Sequence, residues 1–192
     1  MLGDLTEKYQ IILASNSPRR KELLTKIIPI FKVESKAVEE IYPNNLEGGG
    51  VATYLSQLKS KPFQPQENEL IITADTIVII DGIILGKPKT PEEAINMLTL
   101  LSGKKHKVIT GVTIRTKDKE LSFYDATKVE FYKLQPDEIE YYVKEHKPFD
   151  KAGAYGIQEW IGHVGIKKIE GDFYNVMGLP IHRVYRELKQ FI

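Results

Sequence analysis

The chain has 192 residues, 42% hydrophobic and 28% charged, the composition of an ordinary globular protein with length enough for a sizeable core. Its 27 Lys and Arg nearly balance 26 Asp and Glu, giving a formal net charge of +1, so it lacks the basic excess of a chain that lives on nucleic acid. The absence of cysteine excludes disulfides, zinc–thiolate centres and cysteine nucleophiles, and suits a cytoplasmic protein. The opening MLGDLTEKYQIILA places acids ahead of a very short apolar run and does not read as a signal peptide. No apolar stretch is long enough to span a bilayer, so no membrane partner is expected.

Residues 10–14 are short, apolar and rich in Ile, and read as a buried strand. Ser17 then suits an N-cap and Pro18 a first helical position, so a helix is expected through Leu24. Residues 31–35 suit a second strand and 36–47 a loop; the glycines at 48–50 lead into a helix over 51–61. A buried strand over 70–73 is expected to end at Ala74-Asp75-Thr76. A hairpin follows, 77–80 and 83–85, around the tight-turn pair Asp81-Gly82. Thr90-Pro91-Glu92-Glu93 has the form of a capping box opening the next helix, which Gly103 ends. Alternation over 107–116 and in parts of 121–133 predicts two half-buried antiparallel strands around a turn at 117–119. A helix is expected over 137–145, and another from Pro180 with Ile181, Val184 and Leu188 on one face. Residues 150–180, rich in Gly and aromatics, carry no period and read as loops, short strands and a bend. The mixture points to α/β or α+β with a mixed sheet.

The loop Ser15-Asn16-Ser17-Pro18-Arg19-Arg20 joins a strand end to a helix start. Unpaired N–H groups and the helix dipole favour an anion there, and two guanidinium forks suit phosphate oxygens. The same loop also reads as plain N-capping with two solvated arginines. Gly82 to Lys87 is not a Walker A loop, because three residues rather than four separate its glycines and Pro88 follows the lysine. Asp75, closing an apolar strand, is placed to bind a metal or orient water, or simply to cap a turn. The hairpin should bring Lys87 back beside it, as a site pair or a structural ion pair. Glu39 and Glu40 lie in a loop, where adjacent acids are usually solvated. Lys59 shares its helix with Lys61, which reads as the exposed one of the two. In the block over 151–158 the glycines permit close approach of a ligand, and the Gln158 amide can pair with a base edge. The four histidines, His106, His146, His163 and His182, lack metal-ligand spacing and read as surface or cleft-edge residues. Trp160 reads as a packing residue.

Five ordered segments together resemble the Maf family of nucleoside triphosphate pyrophosphatases. They are LASNSPRRKELL at 13–24, ADTIVIIDGIILGKP at 74–88, LLSGKKHKVITGV at 100–112, DKAGAYGIQ at 150–158 and GDFYNVMGLPI at 171–181. The resemblance implies a single domain over 1–192, of α/β class, with a mixed, elongated sheet, flanking helices and two lobes around a central cleft, similar to the inosine triphosphate pyrophosphatases. It implies hydrolysis between the α- and β-phosphates, to a nucleoside monophosphate and pyrophosphate, with a divalent metal cation (Mg²⁺ or Mn²⁺) and often a homodimer. The block at 150–158 resembles the branch acting on dTTP and UTP. In that branch the specificity positions match Arg19, Thr76 and Gln158, and the catalytic acid matches Asp75. The phosphate and metal set matches Ser15, Arg20, Glu40, Lys59, Lys87 and Lys151, with Glu40 and Asp75 as the metal pair. One departure stands out: the family commonly has glycine directly after this Gln, whereas here the chain reads Gln158-Glu159-Trp160. Other readings keep the reaction but take 7-methyl-GTP or another modified nucleotide, or make the protein a nucleotide-binding regulator of septum formation.

Overall fold

A computed structural model describes residues 2–192 as an α/β protein whose seven-stranded mixed sheet is flanked by helices. The strands β1 (Gln10–Ala14), β2 (Lys32–Glu34), β3 (Glu69–Ile80), β5 (Lys105–Arg115), β6 (Glu120–Phe131) and β7 (Ile166–Glu170) run in the order β2-β1-β3-β5-β6-β7. The short β4 (Ile83–Leu85) pairs with β3. Among the described residues no helix is long and apolar enough to cross a membrane. The chain divides into two compact units.

The first unit comprises 1–75, 110–125 and 178–192. β1 lies parallel to both β2 and β3, with Ile12 level with Ile71. Both faces of β1 are covered, which is why four of its five residues are buried and it reads as a continuous apolar run. The helix α2 (Pro18–Thr25) follows β1; the Ser17 side chain accepts from the Arg20 amide and Pro18 occupies the first turn, as expected. An N-terminal helix, α1 (Gly3–Lys8), had no counterpart in the sequence reading, since it buries only Leu5 beyond its cap. α3 (Gly49–Ser60) buries Val51, Ala52, Leu55, Ser56 and Ser60. Gly111 of β5 faces its backbone so closely that a Cβ there would lie 2.1 Å from the Ala52 carbonyl oxygen. α8 (Ile181–Leu188) turns Ile181, Val184 and Leu188 inward, the three residues its periodicity singles out.

The second unit comprises 76–109 and 126–177. The β3–β4 hairpin closes through Asp81 and Gly82, both at positive φ (49° and 80°), the backbone that an Asp-Gly pair supplies. Thr90 caps α4 (Pro91–Leu101) by accepting from the Glu93 amide. The Glu93 carboxylate reaches the Lys89 amide at 2.7 Å instead of closing the expected box on Thr90. The reciprocal box forms at α5 (Pro136–His146), between Gln135 and Glu138.

The stretch without a sequence period, 150–180, resolves into a 3-10 turn at Ala152–Ala154, α6 (Trp160–Gly165), β7 and α7 (Phe173–Met177). α7 is held from its ends and interior by side chains. Asp172 carboxylate oxygens accept from the Tyr174 and Asn175 amides, and buried Asn175 donates to the Val108 carbonyl and to Thr127 Oγ1.

Two expectations are corrected. Asp75 does not end a strand: the backbone stays extended from Glu69 to Ile80, so the two predicted strands are one. Nor are all four histidines at the surface, since His106 is 3% exposed, its ring edge-on to Phe131 and Tyr155. Alternation in Lys105-His106-Lys107 turns the middle side chain inward while its neighbours face out.

Candidate functional site

In the first unit the arginine loop and the Asp75 segment meet. Ser15 follows β1 and is buried; its Oγ accepts from the Ser17 amide at 3.2 Å and from Arg20 Nη1 at 3.4 Å. Arg20 turns its fork inward: Nη1 donates to the Ala74 carbonyl at 2.7 Å and Nε to the Gly178 carbonyl at 2.8 Å. Burial lowers its pKa from the ordinary arginine value, an effect opposed by the nearby Asp75 carboxylate. Arg19, one residue earlier on α2, is half-buried.

Asp75 is 6% exposed, and its carboxylate accepts from Lys59 Nζ. The same ammonium lies 2.9 Å from a Glu40 carboxylate oxygen. Lys59 thus binds two carboxylates from distant parts of the chain, one on β3 and one in the loop after β2. Adjacent acids in a loop read as solvated, yet Glu40 is drawn into this cluster. The helical period holds the signal for Lys59: it follows Leu55 by four residues and Ser56 by three, on the stripe that α3 buries. Lys61, off that stripe, is exposed.

The remaining candidates lie in the second unit. Thr76, the residue after Asp75 on β3, is half-buried. The β3–β4 ladder ends at Val78 and Leu85; continuing its register would set the exposed Lys87 level with Thr76. The lysine that grips Asp75 is Lys59. Lys151 is 8% exposed, its ammonium 2.7 Å from Asp150 Oδ1 and 2.9 Å from Glu159 Oε1. Gln158 has its side-chain oxygen buried with no hydrogen-bond partner among the described residues. Glu159, Tyr142 and Asp150 were not singled out from sequence. Glu159 reads from sequence only as a larger, charged residue where a glycine is usual, and Tyr142 lies on the buried face of α5.

Comparison with known proteins follows the same lines. A model of the family described as Maf-like protein matches residues 10–191. A dTTP/UTP pyrophosphatase of Bacteroides thetaiotaomicron is 52% identical over 193 residues, covering 99% of this chain and 100% of that protein. One of Porphyromonas gingivalis is 48% identical over 198 residues, covering 100% of this chain and 98% of that protein. The solved structure of a HAM1 protein from Coxiella burnetii is 13% identical, superposes with a TM-score of 0.50, and covers 95% of this chain and 99% of that one; this likeness concerns the fold alone. With the family model covering nearly the whole chain and full-length relatives at such identity, the protein belongs to the Maf-like family.

Proposed function

We propose that this protein hydrolyses nucleoside triphosphates, dTTP and UTP foremost, to the nucleoside monophosphate and pyrophosphate. The observation that carries the reading is the cluster of Asp75, Lys59 and Glu40 beside the arginine loop, joined to it through Arg20 and the Ala74 carbonyl. Membership of the family, and full-length relatives named dTTP/UTP pyrophosphatase, supply the substrate class.

Cleavage of a phosphoanhydride by water depends on positioning and on neutralising charge. In this reading Asp75 takes the proton of the attacking water, as a positioned carboxylate can. Ser15, Arg19 and Arg20 receive phosphate oxygens at the start of α2, where amide hydrogens and the helix dipole also favour an anion. Lys59, Lys87 and Lys151 add positive charge. Arg19, Thr76 and Gln158 select the base. The donor set fits a divalent cation such as Mg²⁺ or Mn²⁺, because Asp75 and Glu40 bring carboxylate oxygens to one ammonium and hard cations take such ligands. Bound by those two residues, the ion supplies Lewis-acid neutralisation of phosphate charge. Lys59 keeps the two carboxylates together against their repulsion. Within the same reading the enzyme works in the cytoplasm as a homodimer, which sedimentation of the purified protein tests.

The deciding experiment compares the parent with Asp75→Asn, measuring pyrophosphate release from a panel of canonical triphosphates and 7-methyl-GTP with Mg²⁺. Parent activity on dTTP and UTP should exceed that on the other nucleotides. Asp75→Asn should lose about 10²-fold or more in kcat, the scale of a lost general base. It should still gain thermal stability from added dTTP, since Arg19, Arg20 and Lys59 remain. Parent-level turnover by the variant removes Asp75 from the mechanism, and preferred turnover of 7-methyl-GTP replaces the substrate.

A further inference from the structure

We infer that Glu159 is the positioning residue for base selection: its carboxylate pins the turn that presents Gln158. The inference rests on the reading of Gln158 as a base-contacting residue.

The geometry is a closed circuit within the second unit. Glu159 Oε1 lies 2.9 Å from the buried Lys151 ammonium. Glu159 Oε2 accepts from the Tyr142 hydroxyl. The Tyr142 oxygen in turn accepts from the Gly156 amide at 3.0 Å. The Glu159 amide donates to the Gly156 carbonyl at 3.0 Å, closing a four-residue turn over 156–159. Both ends of the Ile157-Gln158 pair are therefore tied down, one by Tyr142 and the other by Lys151. The fit is tight: a Cβ on Gly156 would lie 2.7 Å from Glu159 Cδ. The Glu159 carbonyl meanwhile accepts from the Gly162 amide at 2.9 Å, so the same residue opens α6.

Charge makes the contact matter. Lys151 is buried, and its other carboxylate partner, Asp150, is 54% exposed in its side chain, against 21% for Glu159. A buried ammonium that loses its more buried partner follows the remaining one toward water. Tyr142, fully buried, then lacks an acceptor, and burial with the adjacent carboxylate already raises its pKa well above the usual phenol value. The Gly156 end of the turn loosens with it.

What the turn holds in place is an acceptor that needs a donor. The Gln158 amide oxygen is buried and unpartnered among the described residues, a costly state that a ligand N–H relieves. Uracil and thymine carry an imide N–H on the pairing edge; cytosine has a bare nitrogen at that position. A site built around a hydrogen bond rejects an analogue lacking the donor far more strongly than an apolar pocket rejects an extra group. The contact discriminates only while the amide is held still.

The test is the ratio of kcat/KM for dTTP to that for dCTP, measured on the full chain. Glu159→Ala should raise the KM for dTTP about tenfold or more, leave kcat within about threefold, and lower the dTTP/dCTP ratio at least tenfold. Glu159→Gln, which still offers an oxygen to Lys151, should keep most of the ratio. Tyr142→Phe should move the ratio in the same direction as Glu159→Ala, and decides the matter if Glu159→Ala does not fold. A ratio within twofold of the parent in the folded Glu159→Ala protein, whatever its melting temperature, overturns the inference. Gln158→Leu separates the two levels. If it abolishes selectivity while Glu159→Ala preserves it, only the positioning role fails; if it leaves selectivity intact, the base-contact reading fails and the inference with it.

Discussion

Two arginines that look alike in sequence stand in different relations to the backbone. Arg20 spans the Ala74 and Gly178 carbonyls with separate nitrogens of one fork, so it fixes the residue before Asp75 and the start of the C-terminal segment at once. A single ammonium has no such planar fork. Arg20→Lys should therefore cost stability as well as activity, unlike a residue that only meets substrate. Losing one of two charge-assisted bonds to buried carbonyls costs about 2 kcal/mol, which for a chain of this size lowers the melting temperature by about 4–8 °C. Displacing Asp75 should also lower kcat/KM at least tenfold, since small misplacements of a catalytic group are expensive. Differential scanning fluorimetry beside pyrophosphate-release kinetics checks both. A variant with raised KM and unchanged melting temperature would return Arg20 to a purely phosphate-binding part.

At the scale of elements, the crossing of β5 and α3 leaves no room for a side chain. Gly111 there faces backbone rather than a flexible side chain, and a Cβ would also come within 2.5 Å of the Thr53 amide nitrogen. Strand and helix would have to separate, and each is anchored nearby. Ser56 Oγ bonds Thr113 Oγ1 at 2.8 Å, and Thr73 Oγ1 donates to the Ser56 carbonyl at 2.7 Å. Gly111→Ala should destabilise by about 3 kcal/mol, at the upper end for overpacking, measurable as a lower urea midpoint. A Gly in a strand interior signals such close approach, but not which element approaches. That limit recurs elsewhere. β1, α2 and the Asp81-Gly82 hairpin were legible because each is specified by neighbours in the chain: an apolar run, a Ser-Pro start, a turn pair. The strand through Asp75 was not, because a carboxylate and two Thr interrupt the apolar run while the ladder continues. α6 and α7 were not, because helices of five or six residues have too few turns to show a period, and β7, with only two separated Ile among charged residues, offers no apolar run. α7 instead depends on Thr127 and Val108, far away in sequence. At the candidate site, Lys59 was readable from the α3 stripe, whereas the pairing of Glu40 with it needed the folded loop.

For the molecule as a whole, His106 couples stability to pH. Its ring is enclosed by Phe131 and Tyr155, Nε2 lies 2.8 Å from the Tyr155 hydroxyl, and Nδ1 is buried without a partner among the described residues. Burial disfavours the imidazolium and lowers the pKa from 6.5 to about 4. The unfolded chain, with its histidine near 6.5, then binds the proton more readily than the folded one. The stabilisation is fully present above pH 6.5, shrinks as pH falls through 6.5, and is gone below about 4. Between pH 7 and 4.5 this one residue should remove about 2 kcal/mol of folding free energy. Surface carboxylates titrate over the lower part of that window, so the parent's total acid loss does not isolate the effect; a variant does. His106→Gln keeps a polar group within reach of Tyr155 but cannot gain the proton. Urea unfolding at pH 7 and at pH 4.5 should show the variant less stable than the parent at neutral pH, because a flexible amide fills the ring's place poorly. Its stability should fall less on acidification, by about 2 kcal/mol. Parallel losses in the two proteins would mean that the buried imidazole accepts its proton without opening the core, and that the acid limit of this fold lies with its carboxylates.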